Sequence, residues 1–503
     1  MAKTTRRALL FGMGAAAGIA CTRYLSNEVI SPGLPFPPKS SLTKSSVGKN
    51  KIVLNDASLL SPTHVSRHII IKQAPKKQLI ESLRAELLEA KAAKRPFAVN
   101  TARHSMGGQS LAKDGTIITM DQTWLEADTS AGTYRVAAGV RWSEIIAQLD
   151  AIGFSPKVMQ SNNDFGVAST FCVNAHGWPV PFSACGSTVQ SIKLMLEDGQ
   201  LVTCSRKENT DLFNMTMGGY GLTGIIIELD VEMVPNARLQ PKYERMPGKD
   251  FGPRFMAALK ADPKIQMAYG RLDVAIDGFF DEALMITYAP TVDQENIPAA
   301  STSGFLSKAS AKIFRNQLDS DRGKSLRWFI ETSVGPAVGA ESVSRNSLIN
   351  EPVITLDDGD PARTDILHEY FISPHRFAEF IQACQDVIPS SYQQLLNITL
   401  RYVDTDNESV LAYAPEPRIA AVMLFSQEMS ARGEADMHRM TSALIQRTLE
   451  IGGTYYLPYR LHATDEQFQQ GYQRASEFVS RKRKLDPDLV FQNALWQRYM
   501  QKL

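Results

Sequence analysis

Hydrophobic positions in the first half of the chain alternate between helical and strand-like spacing. Over residues 75–95 leucines recur at every fourth position, which predicts an amphipathic helix. The apolar run 97–100 and the β-branched run 116–120 predict two strands, and residues 102–109 between them carry two adjacent glycines. The local order is therefore helix, strand, glycine turn, strand. In residues 192–202 an Asp-Gly pair separates two strand-like stretches, which predicts a β-hairpin.

A second glycine cluster follows a predicted short helix, residues 211–217, and precedes a predicted strand, residues 225–234. Gly219, Gly221 and Gly224 match the glycine spacing of the dinucleotide-binding motif G-x-G-x-x-G. That motif needs a strand before it and a helix after it, so that a pyrophosphate meets a helix N-terminus. Because the order here is reversed, the sequence excludes a Rossmann fingerprint. The weaker expectation is that backbone amides of this loop approach a phosphate.

The residue pattern of the sequence changes after residue 235: glycine clusters disappear, and strand-like runs are separated by long connections and helices. The predicted strands are residues 267–274, 284–288, 367–372, 397–403 and 420–425. This arrangement is typical of an α+β domain built on an antiparallel sheet. Alternation along one of these strands places Asn397, Thr399 and Arg401 on the same face, which can line a pocket.

Length and charge limit the classes of protein to consider. A chain of 503 residues exceeds what one hydrophobic core usually spans, so we expect at least two domains. The 54 basic and 53 acidic residues nearly cancel, and we expect no nucleic-acid partner. Five cysteines without metal-like spacing disfavour a disulfide framework or a zinc site, and we expect no metal.

The N-terminal residues 1–30 predict a twin-arginine export signal, because Arg6 and Arg7 precede a short apolar run rich in Gly and Ala. A basic tail with a hydrophobic patch is the alternative. Residues 31–50 predict a stiff, proline-rich linker. We therefore expect a periplasmic or secreted protein that meets a membrane only through an uncleaved signal or a lipidated Cys21.

Several motifs, taken in order, resemble one family. They are residues 55–58, 103–105, 107–109, 173–177, 197–199, 211–213 and 218–221, with 484–487, 491–493 and 496–499 at the end of the chain. In this order they resemble the vanillyl-alcohol oxidase superfamily of FAD-dependent oxidoreductases, particularly aldonolactone oxidases, alditol oxidases and cytokinin dehydrogenases. The resemblance implies an α+β fold: a two-subdomain PCMH-type FAD-binding domain at 51–235 and an antiparallel-sheet substrate (cap) domain at 236–460. Residues 461–503 are then expected to return to the FAD-binding domain.

The resemblance also implies where FAD binds. His104 matches a histidine that often carries the flavin covalently in this family, so we expect an 8α-histidyl bond. Some relatives form a second bond through a cysteine, but none occupies residues 161–166 here, and we expect a single link. The implied cofactor-binding residues are Arg103, His104, Ser105, Met106, Gly107, Gly108, Gln109, Ser169, Asn174, His176, Gly177, Gly219, Gly221, Ile225 and Asn493. A packing role is the alternative for His176.

Four residues of the second domain are candidates for catalysis. Glu369 falls where alditol oxidases present a glutamate near the flavin, although the arginine that those enzymes have two positions later is Phe371 here. Glu369 or His462 is the candidate base, and Arg401 or Arg460 is the candidate cation. For each of them an ion pair at the rim or between domains is the alternative.

The implied chemistry is hydride transfer from a substrate C–H bond to flavin N5, with the protein supplying a base and a cation. We expect an exported FAD-dependent oxidoreductase that acts on a polar alcohol, a sugar or an aldonolactone. Oxygen or another electron acceptor would reoxidise the flavin. Amine oxidation of the cytokinin-dehydrogenase kind and a non-catalytic flavin-binding protein are the alternatives.

Overall fold

The structure is a computed structural model, and it describes residues 52–72, 76–301, 315, 317–334, 336, 341–351 and 360–503. The expected export signal, the proline-rich linker and Cys21 lie outside these residues. Across the described ranges, no helix combines the length and the apolar character needed to cross a membrane.

A three-stranded parallel sheet forms the first layered unit, and a small hairpin precedes it. The elements are β1 (Ile52–Leu54), β2 (Thr63–Val65), β3 (Arg67–Ile71), α1 (Lys76–Ala92), β4 (Phe97–Asn100) and β5 (Thr116–Met120). Strand β5 lies between β3 and β4 and pairs with both in parallel. The predicted helix and both predicted strands are confirmed, and the leucines of α1 form its buried stripe.

An antiparallel sheet of six strands forms the second unit. Its strands are β6 (Leu125–Asp128), β7 (Thr133–Ala137), β8 (Phe154–Pro156), β9 (Val189–Met195), β10 (Leu201–Ser205) and β11 (Ile225–Pro235). Three helices accompany it: α2 (Trp142–Asp150), α3 (Val167–Cys172) and α4 (Thr210–Thr216). The predicted β9–β10 hairpin is confirmed, with Gly199 at φ +81° in its turn. Helix α4 comes before β11, so the exclusion of a Rossmann fingerprint is also confirmed.

A sheet of eight strands follows, and all its neighbouring strands are antiparallel. In chain order they are β12 (Arg238–Pro247), β13 (Met267–Leu272), β14 (Glu282–Pro290), β15 (Val343–Ser344), β16 (Arg363–Ile372), β17 (Gln394–Val403), β18 (Arg418–Glu428) and β19 (Thr454–Tyr455). All five predicted strands of this half are present. Since β11 and β12 belong to different sheets, the two halves of the chain separate after residue 235.

Helices cover the eight-stranded sheet and form the C-terminal end. They are α5 (Phe251–Ala261), α6 (Asp321–Phe329), α7 (Arg345–Ile349), α8 (Phe377–Val387), α9 (Ala431–Glu450), α10 (Asp465–Gly471), α11 (Ala475–Leu485) and α12 (Ala494–Arg498). Eight residues of helix α9 are buried, and its apolar face packs on the sheet and on α8. Burying a large apolar side chain contributes about 1.5–3 kcal/mol, so these faces hold the helices in place.

The C-terminal segment crosses back to the first half of the chain. The backbone amide of Phe97 donates to the carbonyl of Val490 at 2.7 Å, and Phe97 forms a parallel bridge with Phe491. A fully buried ion pair shapes the bend before this contact, where Lys482 Nζ lies 2.6 Å from Asp486 Oδ2. The same carboxylate accepts hydrogen bonds from the amides of Val490 and Phe491. The last helices are thereby attached to the parallel sheet.

Candidate cofactor and substrate site

A cavity of about 320 Å³ is lined by both halves of the chain. Its walls come from the turn after β4, from residues 160–178 and 220–226, and from strands of the eight-stranded sheet. The predicted site residues that line it are Arg103, His104, Ser105, Met106, Gln109, Ser169, His176, Gly221, Ile225, Glu369 and Arg401. The volume is in the range of small-molecule sites. One space therefore joins the predicted cofactor turn to the predicted catalytic residues.

The turn that carries His104 presents unused hydrogen-bond donors. Arg103 adopts a positive φ of +55°, which bends the backbone into the left-handed region. Among the described residues, the backbone amides of residues 102–105 have no hydrogen-bond acceptor. Since a run of free amides on a bent backbone forms an anion-binding concavity, this turn fits a phosphate group.

The imidazole of His104 is held from two sides. Its ring lies on Phe165, with 4.5 Å between the ring centroids. Its Nε2 atom is 3.3 Å from Asp164 Oδ2, without the alignment of a hydrogen bond. The side chain lines the cavity and is positioned to meet a ligand there.

Gly107 and Gly108 were predicted to bind the cofactor, but neither lines the cavity. A Cβ atom on Gly107 would lie 2.5 Å from the carbonyl oxygen of Tyr459, and Gly108 has φ +76°. The amide of Gly107 donates to Gln109 Oε1 at 2.9 Å, and the amide of Gly108 donates to Asp56 Oδ2 at 2.7 Å. Both glycines therefore pack the turn against other parts of the protein and do not contact the cavity.

Four more predicted cofactor residues lie behind the cavity wall. Asn174 donates to Asp406 Oδ2 at 2.9 Å, and Asn493 caps α12. A Cβ atom on Gly177 would lie 1.9 Å from a backbone oxygen, and one on Gly219 would lie 2.1 Å from another. These four residues shape the loops of the site and do not face the cavity.

Glu369 on β16 is a buried carboxylate that lines the cavity, as Glu351 also does. Its Oε1 atom lies 2.5 Å from His176 Nε2, and both residues are only 3% exposed. The hydroxyl of Tyr459 donates to Glu369 Oε2 at 3.2 Å. Burial raises the pKa of Tyr459 well above its usual value, with a further contribution from nearby Glu369. Tyr459 therefore stays protonated and serves as a donor near neutral pH.

Arg401 lies beside this carboxylate, and one nitrogen of its guanidinium group has no hydrogen-bond partner among the described residues. Its Nη2 atom donates to Ser161 Oγ at 2.8 Å and its Nη1 atom donates to the His176 carbonyl at 3.4 Å. The Nε atom is buried and has no hydrogen-bond partner among the described residues. Burial lowers the pKa of Arg401, while Glu369 acts in the opposite direction, and an arginine stays charged under both influences.

The polar face predicted for β17 does point into the cavity. Asn397, Thr399 and Arg401 all line it. Arg271 on the neighbouring strand β13 also lines the cavity and donates to Thr399 Oγ1. This end of the cavity therefore suits a ligand with several oxygen atoms.

Arg460 and His462, predicted as a second cation and an alternative base, lie outside the cavity. Both bind Glu434 on α9, with His462 Nε2 at 3.0 Å from Glu434 Oε1. Burial alone raises the pKa of Glu434, but His462 and Arg460 hold it below its usual value. Arg460 also donates to the carbonyl of Met106 and to Ser61 Oγ, each at 3.1 Å. The geometry matches the alternative interpretation of an ion cluster between chain segments.

Tyr459, Arg271 and the buried Glu351 are among the residues that line the cavity and were not predicted from the sequence. Tyr459 directly precedes Arg460, but residues 456–463 form no strand, so no alternation pattern marks its side chain. Arg271 lies on a predicted strand whose polar positions gave no signal of their own. Cys172 also lines the cavity, but burial raises the pKa of its thiol to about 12, so it is not a thiolate. Among the described residues no cluster suited to a metal ion is found.

Comparisons with known proteins agree with this geometry. Residues 78–205 match the family model described as an FAD binding domain. The chain is similar to an uncharacterized oxidoreductase of the fasciation locus of Rhodococcoides fascians, with 28% identity over 27% of this chain and 32% of that protein. It is similar to a provisionally named D-arabinono-1,4-lactone oxidase of Neurospora crassa, with 27% identity over 22% of this chain and 20% of that protein. It is also similar to cytokinin dehydrogenase 3 of Oryza sativa subsp. japonica, with 24% identity over 43% of this chain and 41% of that protein.

The fold and these matches define the class: the chain contains an FAD-binding domain joined to a domain with a large antiparallel sheet. The predicted α+β fold class is confirmed, and so is the resemblance to the vanillyl-alcohol oxidase superfamily of FAD-dependent oxidoreductases. The chain spans less than half the length of each of these three relatives.

Proposed function

We propose that this protein is an FAD-dependent oxidoreductase that removes a hydride from a carbon bearing a hydroxyl group, in a polar alcohol, a sugar or an aldonolactone. The observation that carries the proposal is the single cavity that joins the His104 turn to the buried carboxylate of Glu369. FAD, when bound, supplies the acceptor for the hydride. The D-arabinono-1,4-lactone oxidase among the relatives supports this substrate class.

The donors around the cavity fit a flavin dinucleotide. The free amides of residues 102–105 suit its pyrophosphate, and the small side chains of α3 leave room beside it. Arg103 Nη1 is a buried donor without a partner among the described residues. In this arrangement Arg103 and the turn hold the pyrophosphate of the cofactor.

Glu369 is proposed as the base that accepts the proton of the substrate hydroxyl. His176 and Tyr459 hold its two oxygens in place, and their burial excludes water from the carboxylate. Arg401 orients an oxygen of the substrate through its free Nε atom. Glu369 and Arg401 thereby fix the reacting carbon relative to the rest of the cavity.

The covalent bond to His104 is part of the proposal. His104 lines the cavity, and Asp164 at 3.3 Å favours a ring orientation in which one nitrogen faces the carboxylate. This leaves the other nitrogen for a bond to the cofactor. Since Cys172 is held as a neutral thiol, we propose one covalent link and no second one.

The test uses the purified full chain and its visible spectrum. We expect a yellow protein that stays yellow after acid precipitation, with a tryptic peptide around His104 heavier by the mass of FAD. Anaerobic addition of alditols, aldoses and aldonolactones should then bleach the flavin absorbance for at least one compound. A colourless protein that takes up no added FAD would refute the proposal.

Oxidation of an amine, as in cytokinin dehydrogenases, is the second candidate. It is favoured by cytokinin dehydrogenases among the relatives, such as the one of 30% identity over 35% of the chain from Oryza sativa subsp. japonica. An adenine-type secondary amine in the same anaerobic assay distinguishes the two candidates. If the flavin is bound but no alcohol or amine bleaches it, the third alternative of a flavin-binding protein without turnover is favoured.

We also propose that the protein is exported to the periplasm or secreted, and that oxygen or another electron acceptor completes the cycle. The support for export is the pair Arg6 and Arg7 before an apolar run. Changing both to lysine should keep the protein in the cytoplasm, as cell fractionation would show. Export of the double variant at the normal level would contradict the twin-arginine route.

A further inference from the structure

Residues 457–460, here called the 457–460 segment, run beside the turn that carries His104. The amide of Met106 donates to the carbonyl of Pro458 at 2.8 Å. The side chain of Gln109 donates to the carbonyl of Leu457 at 2.5 Å and to that of Tyr459 at 2.8 Å. With the bond from Arg460 Nη1 to the Met106 carbonyl, four hydrogen bonds join the two stretches, although they are about 350 residues apart in the chain.

Gln109 is the centre of this connection. Its side chain is buried, and its Oε1 atom also accepts the amide of Gly107. The same Gly107 has no room for a Cβ atom because the Tyr459 carbonyl lies so close. Every polar atom of the Gln109 amide therefore bonds within the turn or to the 457–460 segment.

The 457–460 segment reaches the site through Tyr459. The carbonyl of Tyr459 accepts from Gln109, while its hydroxyl donates to Glu369 Oε2. The amide of Tyr456, just before the segment, donates to the carbonyl of Glu369 at 3.1 Å. A continuous set of contacts therefore runs from the His104 turn through Gln109 and Tyr459 to the proposed base.

We propose that Gln109 is a positioning residue, which sets the place of Tyr459, and through it the carboxylate of Glu369, relative to the turn that carries His104. This inference rests on the proposed function for its catalytic meaning. The physical reason is that reaction rates depend steeply on the placement of the reacting groups, since a misplacement of about 1 Å can cost about 100-fold. Because Gln109 supports both the His104 turn and, through Tyr459, the proposed base, the distance between them stays constant.

The test compares Gln109→Glu, Tyr459→Phe and the double variant. Glutamate keeps an acceptor for the Gly107 amide but loses both donor bonds to the 457–460 segment. Gln109→Met removes the same donors without adding a charge and repeats the test if the glutamate variant does not fold. Gln122→Glu is the matched control, because Gln122 is also buried and also accepts a backbone amide, that of Gly139, away from the cavity.

The first measurement is amide hydrogen exchange, which needs no substrate. Gln109→Glu should speed exchange at least about tenfold in peptides that contain Met106 and Tyr456, because the bonds beside them are lost, whereas Gln122→Glu should leave these peptides unchanged. Unchanged exchange in Gln109→Glu and Gln109→Met would overturn the proposal.

The second measurement is the rate of anaerobic flavin reduction by whichever compound bleaches the flavin. Gln109→Glu should slow it about 10–100-fold in the wild-type background and less than about threefold in the Tyr459→Phe background, since the effect passes through Tyr459. Equal slowing in both backgrounds would overturn the proposal. If wild-type flavin is never reduced, the proposed function fails and the exchange result alone decides whether Gln109 holds the segment.

Discussion

Replacing Glu369 by Gln tests the proposed base most directly. The side chain is buried on β16, with His176 Nε2 at 2.5 Å and the Tyr459 hydroxyl at 3.2 Å. Glutamine has the same shape and keeps an oxygen that can accept one of these bonds. It has no charge at that position and cannot take up a proton near neutral pH. The substitution therefore removes the chemistry with little change in packing.

The expected loss follows from what a positioned base contributes. General-base catalysis is worth about 10²–10⁴-fold, which corresponds to about 2.7–5.4 kcal/mol in the activation free energy. The surroundings of Glu369 favour a large value, because the residue is only 3% exposed and no water can easily replace the carboxylate. We expect flavin reduction to slow by at least 100-fold.

The assay is anaerobic stopped-flow reduction of the bound flavin at saturating substrate. The spectrum of the oxidised flavin should stay the same, since the substitution leaves the turn at His104 intact. Glu228→Gln is the matched control, because Glu228 is also a buried glutamate on a strand but pairs with Lys76 outside the cavity. A reduction rate within threefold of wild type in Glu369→Gln would refute the role of this residue as the base.

Three further predictions concern the cofactor, the fold and pH. His104→Ala should release all flavin into the supernatant after acid precipitation, and retained colour would point to another attachment site. Lys482→Met should destabilise the protein by about 3–5 kcal/mol in denaturant unfolding, because it leaves the fully buried Asp486 carboxylate unpaired; a loss under 1 kcal/mol would contradict this. Burial lowers the pKa of His68 from 6.5 to about 4. Between these pH values the unfolded chain binds more protons at this residue than the folded chain, so the free energy of unfolding falls as the pH drops from 6.5 towards 4. His68→Gln should therefore lose less stability than wild type between pH 7 and pH 5, as thermal unfolding at both values would show.

The sequence predicted the elements whose pattern is local. The leucine stripe of α1 and the β9–β10 hairpin follow from spacing and turn chemistry alone. The face of β17 that carries Arg401 follows from strand alternation. In each case the residues that decide the outcome are neighbours in the chain, so the pattern is sufficient.

The parts of the site that the sequence could not supply depend on distant contacts. Residues 456–463 form no strand, so spacing along this stretch does not tell which side chains face the cavity, and Tyr459 was missed. The roles of Gly107 and Gly108 depend on Tyr459 and Asp56, which lie far away in sequence. Only the folded chain reveals that these glycines make room for protein atoms.

The turn at His104 is supported by both ends of the described chain, and this sets an order of events during biosynthesis. Its backbone carbonyls at Arg103 and Ser105 accept the amide of Ala57, while Gln109 bonds to Tyr459. Contacts of such long range cost loop-closure entropy, and the contact with Tyr459 cannot form before that residue has been synthesised. The turn therefore gains its full set of contacts only after the ribosome has released the chain through Tyr459.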